Sequence, residues 1–158
     1  MKIRVRRAVR EDAGTIASFN AVMAVETEGI TIPDEVAHPG AEAVFDDSSL
    51  GFYLVAESGG AIVGSLMITY EWSDWSNALY WWIQSVYVSS EHRRRGVYRA
   101  LHNGVLELAR EAGNVRAIKL YVFEDNERAK STYESMGMER AHHAIYEMAV
   151  RPGESARG

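Results

Sequence analysis

The sequence predicts one mixed α/β domain over residues 1–150, with elements in the order β-α-α-β-β-β-α-β-α-β. Short segments of alternating apolar and polar residues predict the strands, and apolar residues three to four positions apart predict the helices. The chain has 158 residues, of which 47% are hydrophobic and 25% charged. This is the size and balance of a single globular domain. Residues 151–158 are expected to form a flexible C-terminal tail.

The first half of the chain is predicted to hold one strand, two helices and three more strands. Residues 2–9 alternate apolar with basic side chains, and Glu11 and Asp12 supply carboxylates where a helix begins. That helix fades near Gly29. Since Pro33 and Pro39 break helices, the second helix is expected only from residue 41 to about 46. The three strands are predicted over 52–57, 61–71 and 79–88, with a hairpin at 58–60 between the first two.

The second half alternates helix and strand. A long amphipathic helix is predicted from the turn at Gly96 to Ala112, where Gly113 ends it. A short strand follows at 118–122. Asn126 is a favoured helix cap and Gly137 a favoured helix stop, so a helix is expected between them. The last strand is predicted over 138–150.

Composition excludes several classes of protein. The chain has no cysteine, so disulfides, thiolate metal sites and a cysteine nucleophile are excluded, and its five histidines show no ligand spacing that predicts a metal site. Apolar runs are far shorter than the roughly 20 residues of a membrane span, and the first residues do not resemble a signal peptide. We therefore expect a cytoplasmic protein with no membrane partner. A net charge of −5 makes nucleic-acid binding a poor hypothesis.

Charge is distributed unevenly along the chain. From Glu11 to Glu91 there are 13 acidic residues and no lysine or arginine, whereas from Arg93 onwards there are 12 basic and 9 acidic residues. Such asymmetry describes what each part attracts. One hypothesis is that an anionic ligand binds the second half while a cationic substrate approaches the first. The alternative is that the acidic residues only solvate the first helices.

The strongest local signal is a basic turn between a strand and a helix. The aromatic strand at 79–88 leads into the run Arg93-Arg94-Arg95-Gly96, with Arg99 one turn further on. Free N–H groups at a helix start attract anions, and glycine allows close approach to the backbone. The alternative is a solvated basic surface. However, cations in the first helical turn oppose the helix dipole, which favours an anionic partner.

This turn resembles the pyrophosphate signature, Arg-x-x-Gly-x-(Gly/Ala), of the GNAT superfamily of N-acetyltransferases, although Tyr98 stands where a small residue is usual. The segment Asn126-x-x-Ala129-x-x-x-Tyr133-x-x-x-Gly137-Met138 is similar to the superfamily's second cofactor segment. The resemblance implies a mixed, mostly antiparallel sheet flanked by helices, with acetyl-CoA (coenzyme A) as cofactor. It implies these cofactor-binding residues: Val86, Tyr87, Val88, Arg93, Arg94, Arg95, Gly96, Val97, Tyr98, Arg99, Asn126, Ala129 and Tyr133.

Acetyl transfer to an amine places three demands on the site. The amine must be neutral, the carbonyl oxygen must be stabilised as charge develops, and the leaving thiolate needs a proton. Without cysteine, direct attack is favoured over an acyl-enzyme. The resemblance implies that Tyr133 lies near the thioester sulfur. Tyr133 is therefore the candidate acid, since its ordinary pKa of about 10 exceeds the thiol's value of about 8.5; the alternative is a packing role. Main-chain N–H groups of 86–88 are expected to hold the oxyanion.

The general base is less well defined. The superfamily often has glutamate where this chain has Gln84, and an amide orients substrate or water rather than accepting a proton. A hydrogen-bonded polar residue in a sheet is the equal alternative for Gln84. Glu26, Glu28 and Asp74 remain candidates, acting through water, and a mechanism with no protein base stays open. The resemblance implies that Glu26 and Glu28 end the helix that lines the acceptor site.

Aromatic side chains beside carboxylates favour an organic cation. Trp72, Asp74 and Trp75 form such a set, with Trp81 and Trp82 nearby in sequence, and the region is loosely similar to diamine-type acetyltransferases; core or dimer-interface roles are the alternative. The sequence therefore predicts an acetyl-CoA-dependent N-acetyltransferase acting on a primary amine of a small, cationic acceptor. The alternatives are an acyl-CoA-binding regulatory module without turnover, and a protein N-terminal or lysine acetyltransferase. The resemblance also suggests a homodimer.

Overall fold

A computed structural model describes residues 1–154 and divides the chain into two compact units. The first unit is Met1–Tyr121, and the second begins at Val122. The first contains the whole sheet and three helices, whereas the second contains one helix. Of the predicted tail at 151–158, residues 155–158 lie outside the described part.

The first unit is organised around a five-stranded sheet in the order β1-β2-β3-β4-β5. All neighbouring pairs are antiparallel except β4 and β5, which are parallel. This confirms the predicted mixed, mostly antiparallel sheet. The strands are β1 (Arg4–Arg7), β2 (Phe52–Ser58), β3 (Ala61–Ser73), β4 (Ala78–Val88) and β5 (Val115–Leu120).

Helices cover both faces of this sheet. Successive side chains of β2 point to opposite faces, and each face forms a core with different helices. One core packs Leu54 and the neighbouring strands against Leu101 and Val105 of α3. The other packs Tyr53 and Val55 against α1 and α2. The helices are α1 (Ala13–Glu28), α2 (Asp34–Asp46), α3 (Val97–Ala112) and, in the second unit, α4 (Glu127–Ser135).

The second helix is much longer than the sequence predicted. It begins at Asp34 and runs through Pro39, although proline was expected to delay the helix to residue 41. Pro33 occupies the cap, and Asp34 and Glu35 favour the positive end of the helix dipole. Packing of Ala41 and Val44 on the α1 side of the sheet offsets the hydrogen bond that Pro39 cannot donate.

Two predictions for strands in the second half need correction. The strand expected at 118–122 is Val115–Leu120, because its parallel pairing with β4 starts at Leu79 and Val115. The strand expected at 138–150 is absent, and these residues have no regular secondary structure. A strand requires a hydrogen-bonded neighbour, and the described residues of the second unit contain no other strand.

The second unit is built on the capping signals that the sequence contains. The Asn126 side chain accepts a hydrogen bond from the Ala129 N–H at 3.1 Å, which confirms the predicted N-cap of α4. Gly137 follows the helix with φ +89°, the left-handed conformation expected at a helix stop. Lys130 pairs with Glu127 on the same helix at 3.2 Å.

Candidate functional site

The turn that precedes α3 has the backbone shape of an anion-binding concavity. Arg94 and Gly96 both have left-handed backbones, with φ +62° and +82°. Gly96 is the N-cap, and its carbonyl accepts the hydrogen bond from the Ala100 N–H. The first N–H groups of α3 therefore have no acceptor within the helix. Left-handed residues are found in anion-binding turns, and free N–H groups at a helix start favour an anion.

The arginines of this turn have different partners. Arg93 donates to the Val88 carbonyl at 2.9 Å and forms an ion pair with Glu26 of α1 at 2.7 Å. Its guanidinium also lies 5.6 Å from the centre of the Tyr87 ring. By contrast, Arg94, Arg95 and Arg99 have no carboxylate within ion-pairing distance among residues 1–154, and all three are exposed. Three uncompensated positive charges thus remain at the start of α3.

Tyr98, the departure from the family pattern, points along the helix. Its hydroxyl lies 3.3 Å from Nδ1 of His102, one turn further on, and the two rings meet edge to face. His102 is buried, with 2% of its surface exposed. Burial, and secondarily the charge of Arg99, lowers the pKa of His102. The tyrosine ring is therefore accommodated against a histidine held in its neutral form.

The strand that precedes this turn contains an irregularity at the residues predicted to hold the oxyanion. Between the pairs Met67–Gln84 and Ser65–Tyr87, β4 has one residue more than β3. Ser85 has φ +51°, which is consistent with a β-bulge. Pairing with β5 ends at Ile83, so the β5 side of 84–88 has no ladder partner among the described residues. Main-chain groups of Val86, Tyr87 and Val88 thus lie at an opening in the sheet.

Gln84 is held by a neighbouring side chain. Its Nε2 donates to Oγ1 of Thr69 on β3 at 2.6 Å. This bond leaves the amide oxygen and the second N–H of the Gln84 amide. The arrangement fits a hydrogen-bonded residue in the sheet, and it also fits a group that orients a substrate or water.

The end of α1 is tied to the strand–turn junction. Glu26 is occupied by Arg93, so it is not a free carboxylate. Glu28 is exposed one residue before Gly29, the left-handed C-cap of α1. Phe19 packs on Tyr87 with ring centres 4.7 Å apart. Helix α1, β4 and the arginine turn therefore meet at one place.

The aromatic residues are divided between three environments. Trp72 and Trp75, near the β3–β4 connection, are 59% and 97% exposed. Trp81 belongs to the core beneath α3, which agrees with the alternative of a core role for this tryptophan. Trp82 lies on the opposite face of β4, where its Nε1 donates to Glu71 Oε1 at 3.1 Å. Asp74 is exposed near Trp75, and no hydrogen bond links the two among the described residues.

The second unit contains the remaining predicted cofactor and acid residues. Asn126 and Ala129 are joined by the capping hydrogen bond, so the Asn126 side-chain oxygen is engaged within the helix start. Tyr133 lies on α4, and burial raises the pKa of its phenol. A phenol with a raised pKa keeps its proton to higher pH, as an acid must.

Sequence inspection missed several residues that shape the first unit's site. Phe19 and Thr69 contact Tyr87 and Gln84, and Lys119 lies beside Trp82. Period-two spacing places Thr69 on one face of its strand, which was an available signal. The partners of Phe19 and Lys119 come from other elements, so no local pattern identifies them. In the described part of the chain, no cluster of metal-ligating side chains and no helix suited to crossing a membrane occurs.

Proteins of known structure or function are similar to this chain in sequence or in fold. A curated mycothiol acetyltransferase from Rhodococcus jostii (strain RHA1) is 29% identical over 143 residues, which are 90% of this chain and 47% of the relative. The chain therefore spans about half the length of that protein. The crystal structure of a "possible acetyltransferase" from Clostridium difficile 630 is 39% identical, with a TM-score of 0.88 over 96% of this chain and 99% of the other.

A structure from Clostridium acetobutylicum, a predicted acetyltransferase with acetyl-CoA, is 16% identical and shares the fold. Its TM-score is 0.74 over 92% of this chain and 95% of that chain. The family model described as the acetyltransferase (GNAT) family matches residues 21–138, which are more than half of the sequence. The arginine turn, the bulged strand and the helix capped by Asn126 all fall within that match, and the chain belongs to the GNAT family of acetyltransferases.

Proposed function

We propose that this protein is an acetyl-CoA-dependent N-acetyltransferase that acetylates a primary amine of a small, cationic acceptor by direct attack. Membership of the family supports the acetyl transfer. One structural observation carries the proposal: the left-handed turn at Arg94 and Gly96 places three uncompensated guanidiniums at the start of α3, directly after the bulge in β4.

The residues of the first unit fit the charges of acetyl-CoA. A diphosphate needs N–H donors and positive charge, and the turn offers both. Arg94, Arg95 and Arg99 would bind the diphosphate together with main-chain N–H groups at Gly96, Val97 and Tyr98. The free edge of Val86, Tyr87 and Val88 offers main-chain groups to the arm that follows the diphosphate. Acetyl-CoA supplies an acetyl group on a good leaving thiol.

The reaction requires one bond to form and one to break. The amine nitrogen bonds to the acetyl carbon as the carbon–sulfur bond breaks, and the thiolate takes one proton. An N–H group of Val86, Tyr87 or Val88 stabilises the negative charge on the carbonyl oxygen. We assign the proton for the thiolate to the phenol of Tyr133. The family resemblance supports this role, and burial raises the pKa of the phenol.

The amine must lose its own protons elsewhere. Glu26 is paired with Arg93, so Glu28 and Asp74 are the better candidates to take a proton through water. Gln84, held by Thr69, would orient the amine or that water. A route without any protein base is compatible with the same site.

Two observations support a small, cationic acceptor: the name of a sequence relative and the exposed tryptophans. The mycothiol acetyltransferase from Rhodococcus jostii indicates that a small-molecule acceptor is compatible with this type of domain. Exposed Trp72 and Trp75, close in sequence to Asp74, suit an organic cation.

We also propose that the protein is a homodimer. The exposed apolar residues of 145–150 support this, since Tyr146, Met148 and Val150 are 94%, 89% and 94% exposed. Exposed apolar side chains in series mark interaction surfaces. A cytoplasmic location stays a prediction of the sequence, as does a single domain over 1–150.

The cofactor site is tested by Arg95→Ala. Loss of a charged hydrogen bond to phosphate should raise the KM for acetyl-CoA about tenfold or more and leave the acceptor KM nearly unchanged. Because the chain has no cysteine, CoA release is measured with a thiol reagent free of background from the protein. Arg110→Ala, at the other end of the same helix, is the matched control and should change neither KM.

Three outcomes separate the candidate functions. CoA release with small amines supports the proposal. Tight CoA binding by calorimetry, with no release for any small amine or peptide, supports a regulatory module. No heat from CoA at millimolar concentration would refute the cofactor site and the catalysis that depends on it.

A further inference from the structure

On one face of the sheet, at β3, β4 and β5, the side-chain ammonium group of Lys119 lies in a cluster of aromatic rings. The Nζ atom of Lys119 lies 3.7 Å from the centre of the Tyr80 ring and 5.4 Å from the Trp82 ring. The same Nζ atom is 3.5 Å from Oε2 of Glu71. Two ring faces and a carboxylate thus surround one primary ammonium, which is the arrangement that recognises organic cations.

The cluster is fixed by strand register. Glu71 pairs directly with Tyr80 across β3 and β4, and Trp82 pairs with Lys119 across β4 and β5. Trp82 is held further by its hydrogen bond to Glu71 and by Tyr121, whose ring centre lies 4.5 Å away. The residues that surround the ammonium group, Glu71, Tyr80 and Trp82, therefore lie on rigid strands. The ammonium group itself is carried on the flexible four-carbon side chain of Lys119.

The two aromatic residues of the cluster, Tyr80 and Trp82, lie on the same face of the sheet as Gln84, which is next to the bulge in β4. Side chains two residues apart share a face, so Tyr80, Trp82 and Gln84 line up along the strand. Thr69 and Ser65, which pair with Trp82 and Tyr87, are four residues apart on β3, or about 13 Å at roughly 3.3 Å per residue. A molecule whose reactive nitrogen lies at the bulge would place a second group about 13 Å away at this cluster.

We propose that Glu71, Tyr80 and Trp82 form a subsite for a second ammonium group of the acceptor, and that Lys119 is its resident occupant. The inference rests on the proposed N-acetyltransferase function, and it narrows the acceptor to an extended molecule with two amines. On binding, the second ammonium replaces Lys119, which moves into solvent. Because a tethered group has a high effective concentration, Lys119 weakens the binding of every external cation.

Amines of matched length test the subsite. α,ω-Diamines with three to ten methylenes are compared with amino alcohols of the same length, in which a neutral hydroxyl replaces the second ammonium. The ratio of kcat/KM between the two series is the readout. We expect the ratio to be largest for about eight to ten methylenes, which span roughly 11–14 Å at about 1.2 Å per bond. The expected ratio is about fivefold.

Variants of the cluster should change this ratio in opposite directions. Glu71→Gln and Trp82→Leu should reduce the ratio toward about two, the statistical value for a diamine with two reactive amines, and Lys119→Met should raise it about threefold or more by removing the competitor. Glu107→Gln, an exposed carboxylate on α3, is the control and should leave the ratio unchanged. A wild-type ratio of about two or less at every length would overturn the subsite and leave the N-acetyltransferase function intact.

A binding experiment without acetyl-CoA separates the two hypotheses. Calorimetry measures the Kd of 1,8-diaminooctane for the wild-type protein, Lys119→Met and Lys119→Gln. At least threefold tighter binding by both variants supports the subsite, even if no amine is acetylated and the proposed function fails. Equal Kd values refute the subsite, whatever the enzyme assays show.

Discussion

Arg93 differs from the arginines beside it because of where its side chain finds partners. It is bound to Glu26, to the Val88 carbonyl and to the Tyr87 ring. Arg95, two residues later, has no carboxylate partner in the described part of the chain. Arg93 thus holds the turn to α1, whereas Arg95 remains available to an anionic ligand.

This difference predicts unequal effects of two substitutions. Arg93→Ala should lower stability by up to about 1 kcal/mol, as for an exposed ion pair, and weaken CoA binding only slightly. Arg95→Ala should leave stability unchanged and weaken CoA binding strongly. Urea denaturation and calorimetry measure the two effects. Equal losses of CoA affinity in both variants would contradict the assignment.

Tyr133 is the residue on which the proposed chemistry depends most directly. Tyr133→Phe removes the only ionisable group of that side chain, so kcat should fall by tens-fold or more if the phenol protonates the thiolate. Burial raises the pKa of this phenol above its ordinary value of about 10, so kcat should show no marked loss from this group between pH 7 and about 9. Tyr146→Phe, at an exposed tyrosine, is the control. An unchanged kcat in Tyr133→Phe would assign the residue to packing.

At the level of the element, β3 is constrained by a glycine just before β2. Gly51 has φ +140°, and a Cβ atom built there would lie 1.9 Å from the Ile68 carbonyl oxygen. Both the backbone conformation and the close approach require glycine. The contact involves backbone atoms of the central sheet, which cannot move aside as a side chain would.

Gly51→Ala should therefore destabilise the protein by more than about 3 kcal/mol, or prevent folding. Gly59→Ala is the matched comparison, because Gly59 has φ +60° and no atom within 4 Å of a built Cβ. Only the left-handed backbone opposes alanine there, at a cost of about 1 kcal/mol. Urea denaturation, with soluble yield as a second measure for Gly51→Ala, distinguishes the two. Similar effects at both positions would show that the close approach to Ile68 is relieved.

Helix α3 contains a buried histidine whose protonation opposes folding. The pKa of His102 is lowered by burial and by Arg99, so the native protein binds this proton less readily than the unfolded chain, in which the pKa is about 6.5. The sign follows: the stability from neutral His102 is present above pH 6.5 and is lost as pH falls through the lower native pKa.

Replacing His102 with Gln should make stability less dependent on pH between 7 and 5. Wild-type protein should lose stability over that range, and His102→Gln should lose measurably less, although it starts from a lower value because the buried site is repacked. Urea denaturation at pH 7, 6 and 5 gives the slopes. His142→Gln, at an exposed position, is the control, and an identical slope in His102→Gln and wild type would refute the linkage.

On the scale of the whole molecule, the acidic stretch from Glu11 to Glu91 is partly neutralised by distant basic residues. Five of its carboxylates pair with arginine or lysine from the first ten residues or the second half: Asp12, Glu26, Asp46, Glu57 and Glu71. The acidic and basic segments of the sequence are thus joined by ion pairs in the folded chain. An external cation must compete with these pairs, as the proposed replacement of Lys119 illustrates.

The exposed residues of 145–150 predict a property of the assembled protein. If they form the homodimer surface, Tyr146→Asp combined with Met148→Asp should convert a dimer into a monomer, because burying two carboxylates in an apolar contact is costly. Sedimentation equilibrium measures the mass. Arg151→Glu, an exposed change of charge nearby, is the control. A monomeric wild-type protein at micromolar concentration would refute the dimer.

The sequence by itself determined the elements whose causes are local. The cap at Asn126, the stops at Gly113 and Gly137 and the arginine turn before α3 follow from φ limits and hydrogen bonds within a few residues. The same signals carried the family resemblance, which the family match confirms. Period-two alternation likewise predicted six strands, and five of them are present with errors of a few residues at their ends.

Only the tertiary structure decided features that join distant residues. The bulge at Ser85, the pairing of Arg93 with Glu26 and the position of Lys119 between two rings each depend on register or packing between separate elements. Packing against the sheet also allows α2 to continue through Pro39. Residues 138–150 form no strand, because the described part of the second unit contains no other strand to pair with them. Propensity acts within one turn or strand, whereas these features depend on contacts made only after the chain has folded.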